Sequence, residues 1–291
     1  MLKDEIIYRR AVSIVIPAYN EESRIGAVLN DLLAMIKSWN IECEIIVVDD
    51  GSKDKTAQIA GGFDVQLVQH KQNKGYGASL KTGIRQARYN IIGIADADGT
   101  YPVERVPELV RFIGEYDMAV GARVGKNVKM PLFRRPAKWL LNKYANYLVQ
   151  EKIPDLNSGL RVFKKDVFEK FRSILPNGFS FTTTLTLALL SNDYQVRYIP
   201  IDYFERGGKS KIRPFRDTVN FFTLITKTSL YFNPLRVYMP IALSLLGFGA
   251  ISFGYDIFVL QNITDRTMAL FLWGVQLGVI GLLADMMSHR R

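Results

Sequence analysis

The sequence predicts an α/β protein in which a mostly parallel sheet with helices on both faces is followed by an interfacial amphipathic helix and a two-helix transmembrane hairpin. Two observations lead to this fold class. In the first two hundred residues, short β-rich runs alternate with helical periodicity, and the runs are almost continuously apolar, as is typical of parallel strands covered on both faces. Near the C-terminus, two runs without charges are long enough to cross a bilayer.

The β-rich runs predict strands at 12–17, 44–49, 65–69, 91–96 and 118–122. Apolar residues at helical spacing predict helices at Glu21–Lys37, Tyr76–Arg88 and Val103–Gly114. In such sheets, ligands bind beyond the carboxyl ends of the strands. Polar clusters occur at three of those ends: Pro17–Glu22, Asp49–Ser52 and Asp96–Gly99. The sequence therefore predicts a site at one edge of the sheet.

Composition limits the chemistry of that site. The 291 residues include 38 Lys plus Arg and 28 Asp plus Glu, a net charge of +10, and 48% are hydrophobic, which is enough for a full core. Cys43 is the single cysteine, so an intrachain disulfide and a thiolate metal cluster are excluded, as expected for a reducing compartment. His70 and His289 lack a metal-ligand spacing. Any metal is expected on carboxylates.

The two apolar runs, Val237–Tyr255 and Thr267–Ala284, have 19 and 18 residues. Basic residues flank the pair on both sides, so the positive-inside rule predicts cytoplasmic ends and an external connector. The N-terminal residues contain no apolar run that could act as a signal peptide. We therefore expect the part before the hairpin to lie in the cytoplasm.

These features predict three parts. Residues 1–213 are expected to form a cytoplasmic α/β domain that carries the predicted site, 214–234 an interfacial helix, and 235–291 the hairpin with a cytoplasmic C-terminus. The middle part is assigned to the bilayer surface because its apolar residues recur at helical spacing, its flanks are basic, and it directly precedes a span.

Asp96 and Asp98 are the strongest candidates for a metal site. They follow a predicted strand two residues apart, so both can turn toward one hard cation, and oxygen ligands suit Mg²⁺ or Mn²⁺ holding a diphosphate. An Asp-x-Asp or Asp-Gly pattern alone is typical of a solvated turn. The occurrence of three polar clusters at strand ends favours a functional site.

Seven motifs follow one another in the order PAYNEE, VVDDGS, NKGYGAS, DADG, GARVG, DLNSGLRVF and RGGKSKI. Together they resemble a family-2 glycosyltransferase of GT-A (Rossmann-like) fold, in the branch of dolichol-phosphate mannose synthase and the polyprenyl-phosphate glycosyltransferases. The resemblance covers about residues 10–213, and the hairpin is similar to that of bacterial polyprenyl-phosphate members. It implies inverting transfer of a hexose from a nucleotide diphosphate sugar, of the GDP-mannose or UDP-glucose type, to a membrane polyprenyl phosphate.

The resemblance also implies roles for the matching positions. The nucleotide is expected to contact Pro17, Tyr19, Glu21, Asp49, Asp50 and Asp96. The metal is expected on Asp96 and Asp98, and the acceptor phosphate on Arg123, Lys138 and Asn142. The residues expected to act in catalysis are Asp98, Arg123, Arg206 and Lys211, the last two closing over the donor diphosphate. The acceptor phosphate is already an anionic nucleophile, so no side chain needs to be activated. The protein needs instead to align the two substrates and to neutralise the charge of their phosphate groups.

Three departures from the mannose-transferring pattern leave the sugar open among mannose, glucose and modified aminosugars. Lys138 and Asn142 stand where that branch has Arg and Ser, and Thr100 stands where it often has Gln. The spacing from Arg206 to Ser210 is one residue shorter. These departures do not affect the predicted reaction class.

The sequence is compatible with several alternatives. The basic run between Arg123 and Lys143 fits a nucleic-acid surface or a solvated face, but the adjacent membrane part favours a patch that collects lipid phosphate. A processive polysaccharide synthase would carry Gln-x-x-Arg-Trp, and a nucleotidyltransferase would carry a glycine-rich loop where PAYNEE stands. A membrane-anchored scaffold or pseudoenzyme that binds nucleotide sugar without turnover is the remaining alternative, and a homo-oligomer is left open.

Overall fold

The computed structural model describes residues 11–39, 41–124, 135–204 and 214–288, with the backbone alone for 135–138 and 214–218. Seven of the described segments form one sheet with the strand order β3-β2-β1-β4-β6-β5-β7. In chain order, the strands are β1 (Val12–Ala18), β2 (Cys43–Asp49), β3 (Gln66–Gln69), β4 (Ile91–Ile94), β5 (Met118–Ala122), β6 (Arg161–Lys164) and β7 (Val196–Pro200).

The sheet is mostly parallel, as predicted. Strand β6 runs antiparallel to both of its neighbours, β4 and β5, and the other described pairs are parallel. All five predicted strands are present. The sequence analysis missed β6 and β7, which have only four and five residues and lack an uninterrupted apolar run.

Helices occupy the connections between strands and the C-terminal part. They are α1 (Ile25–Trp39), α2 (Thr56–Ala60), α3 (Tyr76–Gln86), α4 (Val106–Arg111), α5 (Arg135–Val149), α6 (Lys165–Phe171), α7 (Phe181–Leu190), α8 (Pro214–Phe232), α9 (Pro234–Tyr255) and α10 (Asp265–Ser288).

Two predicted helix starts were wrong. Helix α1 begins at Ile25 rather than Glu21, because the N–H of Glu21 donates to Thr56 Oγ1 at 2.8 Å and holds the preceding loop outside the helix. The segment predicted as Val103–Gly114 is a 3₁₀ turn at Val103–Arg105 followed by α4, and Pro107 lies in the first turn of α4. Proline in a first turn is compatible with a new helix start, since its missing N–H would have no partner there.

Helices cover both faces of the sheet. Side chains of α1, α2 and α4 pack on one face, and those of α3, α6 and α7 pack on the other. Burial of apolar surface on both faces is what makes parallel strands such as VSIVIPA almost entirely apolar, and every residue of β1 is buried.

A third apolar cluster joins the sheet domain to the C-terminal part. Leu187 of α7 packs with Leu148 of α5 and Ile225 of α8, and Ile225 is fully buried. The rings of Tyr144 and Phe222 stack with centroids 4.7 Å apart. Helix α8 therefore packs its apolar side against the sheet domain, while Phe222 remains 46% exposed.

Helices α9 and α10 form a hairpin with glycines at their contact. A Cβ atom at Gly274 would lie 2.8 Å from the Leu246 side chain, and one at Gly281 would lie 2.8 Å from Tyr238 Cβ. Both helices are long and apolar enough to cross a membrane, and their outward side chains, such as Ile251 at 72% exposure, are unburied. Small residues at a close helix contact with large apolar residues outside are typical of membrane hairpins.

Candidate active site

The polar clusters predicted from the sequence come to one edge of the sheet. The last residues of β1 and β2, Ala18 and Asp49, are register partners. Arg123 directly follows β5, and Asp96 lies two residues after the end of β4. The antiparallel strand β6 contributes its first residue, Arg161, opposite Ile94. We call this the catalytic edge.

An open cleft of about 770 Å³ lies beside the ends of β1 and β2, lined by Tyr19, Asp49, Gly51, Ser52, Lys53, Ala57 and Gln69–Asn73. Two loops that form it are tied together, because the N–H of Asn20 donates to Ser52 Oγ and the N–H of Lys53 donates to Asn20 Oδ1, both at 2.9 Å. Tyr19 is 39% exposed at the rim, whereas Pro17 is buried in β1. The cleft combines an aromatic ring with several hydrogen-bonding side chains, as is typical of small-molecule sites.

The two aspartates of VVDDGS have different surroundings. Asp49 accepts the N–H of Ser52 at 3.3 Å and lines the cleft. Asp50 is as buried as Asp49, but it accepts the N–H groups of Lys74 and Gly75 at 2.9 and 2.8 Å, and its Oδ1 lies 2.7 Å from His70 Nδ1. Asp50 therefore holds the loop that follows β3, and its direct contact with a nucleotide stays a prediction.

Asp96 and Asp98 lie together at the end of β4. Tyr76 donates its hydroxyl proton to Asp96 Oδ1 at 2.8 Å, and Thr100 donates its N–H and hydroxyl to Asp98 Oδ1 at 3.1 and 2.7 Å. Burial, and then the charge of Asp98, raise the pKa of Asp96 to about 6. The two carboxylates therefore repel each other in a partly desolvated site.

This donor set fits a hard divalent cation. A cation between two adjacent carboxylates relieves their repulsion, and carboxylate oxygens are the ligands that Mg²⁺ and Mn²⁺ prefer. Within the described part of the chain, three or more His, Cys, Asp or Glu side chains nowhere gather into a cation cage. Substrate phosphate and water would therefore complete the coordination, as is usual for Mg²⁺ at phosphate sites. Thr100 is buried and bonded to Asp98, which gives it a supporting position.

Arg123 is held by a buried carboxylate. Asp155, fully buried, accepts Arg123 Nε at 2.7 Å, Nη2 at 2.8 Å and the backbone N–H at 2.9 Å. Asn157 Oδ1 accepts a further hydrogen bond from Nη2 at 2.7 Å, and the guanidinium lies over the Tyr203 ring. Although burial opposes the charge, the bonds to Asp155 raise the pKa of Arg123. The guanidinium is therefore a fixed cation beside Asp96.

Some predicted site residues are not tested by these contacts. Arg206 and Lys211 lie outside the described residues, and the side chain of Lys138 does so as well, although its backbone belongs to α5. Asn142 is half-buried on α5. The N–H of Phe204 donates to Thr100 O at 3.0 Å, which brings the chain to the catalytic edge two residues before Arg206.

Sequence reasoning missed four residues that hold the site. His70 contacts Asp50, Tyr76 contacts Asp96, and Asp155 binds Arg123. The fourth is the fully buried Arg161, which donates hydrogen bonds to Ser158 O, Thr182 O and Thr186 Oγ1. Tyr76, Asp155 and Arg161 do lie in the quoted motifs NKGYGAS and DLNSGLRVF, but their partners are distant in sequence, apart from Ser158 O, which lies three residues before Arg161. Local patterns therefore carry no signal for these contacts.

Comparison with known proteins identifies two families along the chain. Glycosyl transferase family 2 matches residues 13–172, more than half of the chain, and the GtrB C-terminal hairpin matches residues 233–289. The second match coincides with α9 and α10.

Among curated relatives, dolichyl-phosphate hexose transferase of Haloferax volcanii is 27% identical over 70% of this chain and 87% of its own length. Undecaprenyl-phosphate 4-deoxy-4-formamido-L-arabinose transferase of Shewanella sediminis is 32% identical over 91% of this chain and 78% of its own length. The low-salt glycan biosynthesis hexosyltransferase Agl6 of Haloferax volcanii is 29% identical over 71% of this chain, and the match spans about half (51%) of Agl6.

Among solved structures, glucosyl-3-phosphoglycerate synthase from Mycobacterium tuberculosis, in complex with Mn²⁺, UDP and phosphoglyceric acid, superposes with a TM-score of 0.60 at 19% identity, covering 76% of this chain and 78% of that one. This likeness shows the GT-A fold. The dolichyl-phosphate and undecaprenyl-phosphate relatives are polyprenyl-phosphate sugar transferases, and the expected fold class and enzyme class are confirmed. The chain belongs to glycosyl transferase family 2, in the polyprenyl-phosphate branch of that family.

Proposed function

We propose that the protein transfers a hexose from a nucleotide diphosphate sugar, of the GDP-mannose or UDP-glucose type, to a membrane polyprenyl phosphate with inversion at the anomeric carbon. The observation that carries this proposal is the Asp96–Asp98 pair at the same sheet edge as the Asp49-lined cleft and the fixed Arg123 cation. A reaction between two phosphate-bearing substrates needs such a combination of carboxylates and cations.

The donor would occupy the cleft and the carboxylate pair. Tyr19 and Asp49 would contact the base and ribose, since both line the cleft and Asp49 offers carboxylate acceptors to N–H or O–H groups. A Mg²⁺ or Mn²⁺ ion held by Asp96 and Asp98 would, when bound, stabilise charge on the leaving diphosphate. Arg206 and Lys211 are proposed to contact the same diphosphate.

The acceptor would meet Arg123. A phosphate monoester has a second pKa of about 6, so it is an anion at neutral pH and needs no side chain to remove a proton. Arg123 can orient that anion because Asp155 and Asn157 fix the guanidinium in place. Lys138 and Asn142, on α5, are proposed as further contacts to the acceptor phosphate.

The membrane arrangement is part of the proposal. Residues 1–213 would form the cytoplasmic catalytic domain, 214–234 the interfacial helix, and 235–291 a hairpin with both ends in the cytoplasm. The contact between α8 and the sheet domain supports a catalytic edge held at a defined distance from the bilayer.

A second sugar class is favoured by the extent of the matches. The 4-deoxy-4-formamido-L-arabinose transferases of Pseudomonas fluorescens and Shewanella sediminis match 89% and 91% of this chain, including the hairpin, whereas the dolichyl-phosphate hexose transferase matches 70%. A nucleotide-activated modified pentose is therefore the second candidate donor.

The test is a donor panel with the purified full chain in detergent. Labelled GDP-mannose, UDP-glucose and UDP-4-deoxy-4-formamido-L-arabinose are each incubated with undecaprenyl or dolichyl phosphate and Mg²⁺ or Mn²⁺, and organic-extractable label is counted. We expect one donor to give a lipid product, and Asp98→Asn to abolish it. Donor binding without any lipid product would contradict the proposal and favour a nucleotide-sugar-binding scaffold.

A further inference from the structure

The carboxylate of Asp96 is held from two sides by residues outside its own strand. Tyr76, the first residue of α3, donates its hydroxyl proton to Oδ1 at 2.8 Å. On the other side, a Cβ atom at Gly159 would lie 2.3 Å from Oδ2. The N–H of Gly159 donates to the hydroxyl of Tyr101 at 2.7 Å, which fixes that backbone. The Asp96 carboxylate is therefore restricted in rotation on one side by Tyr76 and on the other by the backbone at Gly159.

The Tyr76 ring also has a stacking contact that does not involve its hydroxyl. The ring of Phe179 stacks on Tyr76 with centroids 5.3 Å apart and planes within 6°. A phenol keeps its proton at neutral pH, so the Tyr76 hydroxyl is the donor and the Asp96 carboxylate the acceptor. Phenylalanine at position 76 would therefore keep the stacking and lose only the donated hydrogen bond.

The loop that carries Phe179 is itself bound to α3. Asn177 O accepts the N–H of Ala78 at 3.0 Å, and Lys81 Nζ donates to Asn177 Oδ1 at 2.9 Å. This close approach requires glycine in the NKGYGAS motif, since a Cβ atom at Gly77 would lie 2.3 Å from Pro176 O. The glycine-rich segment therefore packs closely against this loop, and this contact helps to hold Tyr76 in position.

We infer that Tyr76 is a positioning residue for Asp96, which directs this carboxylate toward the divalent cation and the donor diphosphate. The inference rests on the proposed function, because it assigns Tyr76 a role toward the same metal site. Hydrogen bonds from outer residues to a metal ligand typically contribute about 10- to 100-fold in metal affinity. Gly159 is the other half of the arrangement, because only a residue without Cβ leaves room for Oδ2.

The experiment compares Tyr76→Phe with a matched control in the full chain. Tyr194→Phe also removes one hydroxyl, which accepts Lys170 Nζ at 2.7 Å far from Asp96 in sequence. Mn²⁺ is titrated in the presence of UDP or GDP and bound metal is followed by electron paramagnetic resonance, with thermal unfolding measured in parallel. We expect Mn²⁺ affinity to fall about tenfold or more in Tyr76→Phe and to stay at the parental value in Tyr194→Phe.

Two further variants separate orientation of the carboxylate from general packing. Phe179→Leu keeps the Tyr76 hydroxyl, so Mn²⁺ affinity should change less than in Tyr76→Phe. Gly159→Ala should weaken Mn²⁺ binding although Tyr76 is intact, because the new Cβ displaces Oδ2 of Asp96. This variant tests whether the orientation of the Asp96 carboxylate matters even if Tyr76→Phe does not fold. Unchanged Mn²⁺ affinity in a folded Tyr76→Phe or Gly159→Ala would overturn the inference and leave the proposed function standing. A parent chain that binds no Mn²⁺ with either nucleotide would overturn both.

Discussion

Replacement of Asp155 by asparagine should lower both the stability of the fold and the affinity for the acceptor. Asp155 is fully buried, the Arg123 side chain is 18% exposed, and two side-chain hydrogen bonds of 2.7 and 2.8 Å join them. Asparagine keeps the volume but removes the negative charge. The change therefore leaves the Arg123 cation partly buried without its charged partner.

The magnitude follows from this burial. Removing one partner of a buried ion pair costs about 3 to 5 kcal/mol. Asparagine retains one acceptor oxygen and Arg123 keeps some contact with water, so we expect a loss near the lower end, about 3 kcal/mol. At about 2 to 4 °C per kcal/mol for domains of roughly 150 to 250 residues, the Tm should fall by about 6 to 12 °C.

The kinetic effect should fall on the acceptor. Without Asp155, the guanidinium is no longer fixed, and a hydrogen bond to a charged group is worth about 1.5 to 3 kcal/mol. We therefore expect the KM for polyprenyl phosphate to rise about 10- to 100-fold, with the donor KM nearly unchanged. Arg123→Ala should show the same selectivity for the acceptor, because it removes the contact itself.

The assay combines thermal unfolding in detergent with initial rates at varied acceptor and donor concentrations. Asp117→Asn is the matched control, since Asp117 pairs with Lys164 at 3.1 Å and both side chains are more than 20% exposed. Such a pair contributes about 0 to 1 kcal/mol, so stability and kinetics should change little. A lower acceptor KM in Asp155→Asn would refute the reasoning, because it would mean that Asp155 competes with the acceptor for Arg123.

Three further results are expected. Asp98→Asn should reduce turnover about 10²- to 10³-fold with little change in Tm, because the amide holds a cation poorly yet still accepts the hydrogen bonds from Thr100. Normal turnover in this variant would mean that Asp96 and Asp98 belong to an ordinary solvated turn and not to a metal site. A cysteine introduced at Asn262 should be labelled from outside the cytoplasm, and one at Ser288 only from inside. Labelling of the native Cys43 should be low, because burial, and then the charge of Glu44, raise the pKa of its thiol to about 12. The reverse labelling pattern would overturn the predicted topology. Removal of residues 234–291 should preserve nucleotide binding, measured by calorimetry, while lowering transfer to long-chain lipid, unless cooperative unfolding is lost.

Most of the sheet could be predicted because burial leaves a continuous apolar run, and the edge strand β3 was predicted although it has no buried residue. Strand β1 is entirely buried and β5 is as well, so their sequences carry a strong signal. Strand β6 begins with Arg161, a charged residue that is fully buried. Hydrogen bonds to backbone carbonyls and a threonine hydroxyl make this burial possible. Strand β7 lies at the edge of the sheet and has only one buried residue. Neither has the pattern from which a strand is recognised.

The candidate site divides in the same physical way. Asp49 could be found because it ends an apolar strand, and Asp96 and Asp98 because they follow one within four residues. The ends of parallel strands meet at one edge. Their partners could not, because contact depends on the fold: Tyr76 and Asp96 are 20 residues apart, and Arg123 and Asp155 are 32 apart. A pattern over a few neighbouring residues contains no information about such pairs.

Two kinds of carboxylate therefore follow from the geometry of this site, and they should respond differently to the same chemical change. Asp98 and Asp96 repel each other at the catalytic edge, so their charge opposes folding and is useful only when a cation is bound. Asp155 neutralises a cation of the chain itself, so its charge supports the fold whether or not substrate is present. Loss of charge at Asp98 should then remove activity without loss of stability, whereas loss at Asp155 should reduce both. Because both substitutions are Asp→Asn, any difference between their effects on activity and stability comes from the partner of the lost charge. That partner is a bound cation for Asp98 and Arg123 for Asp155.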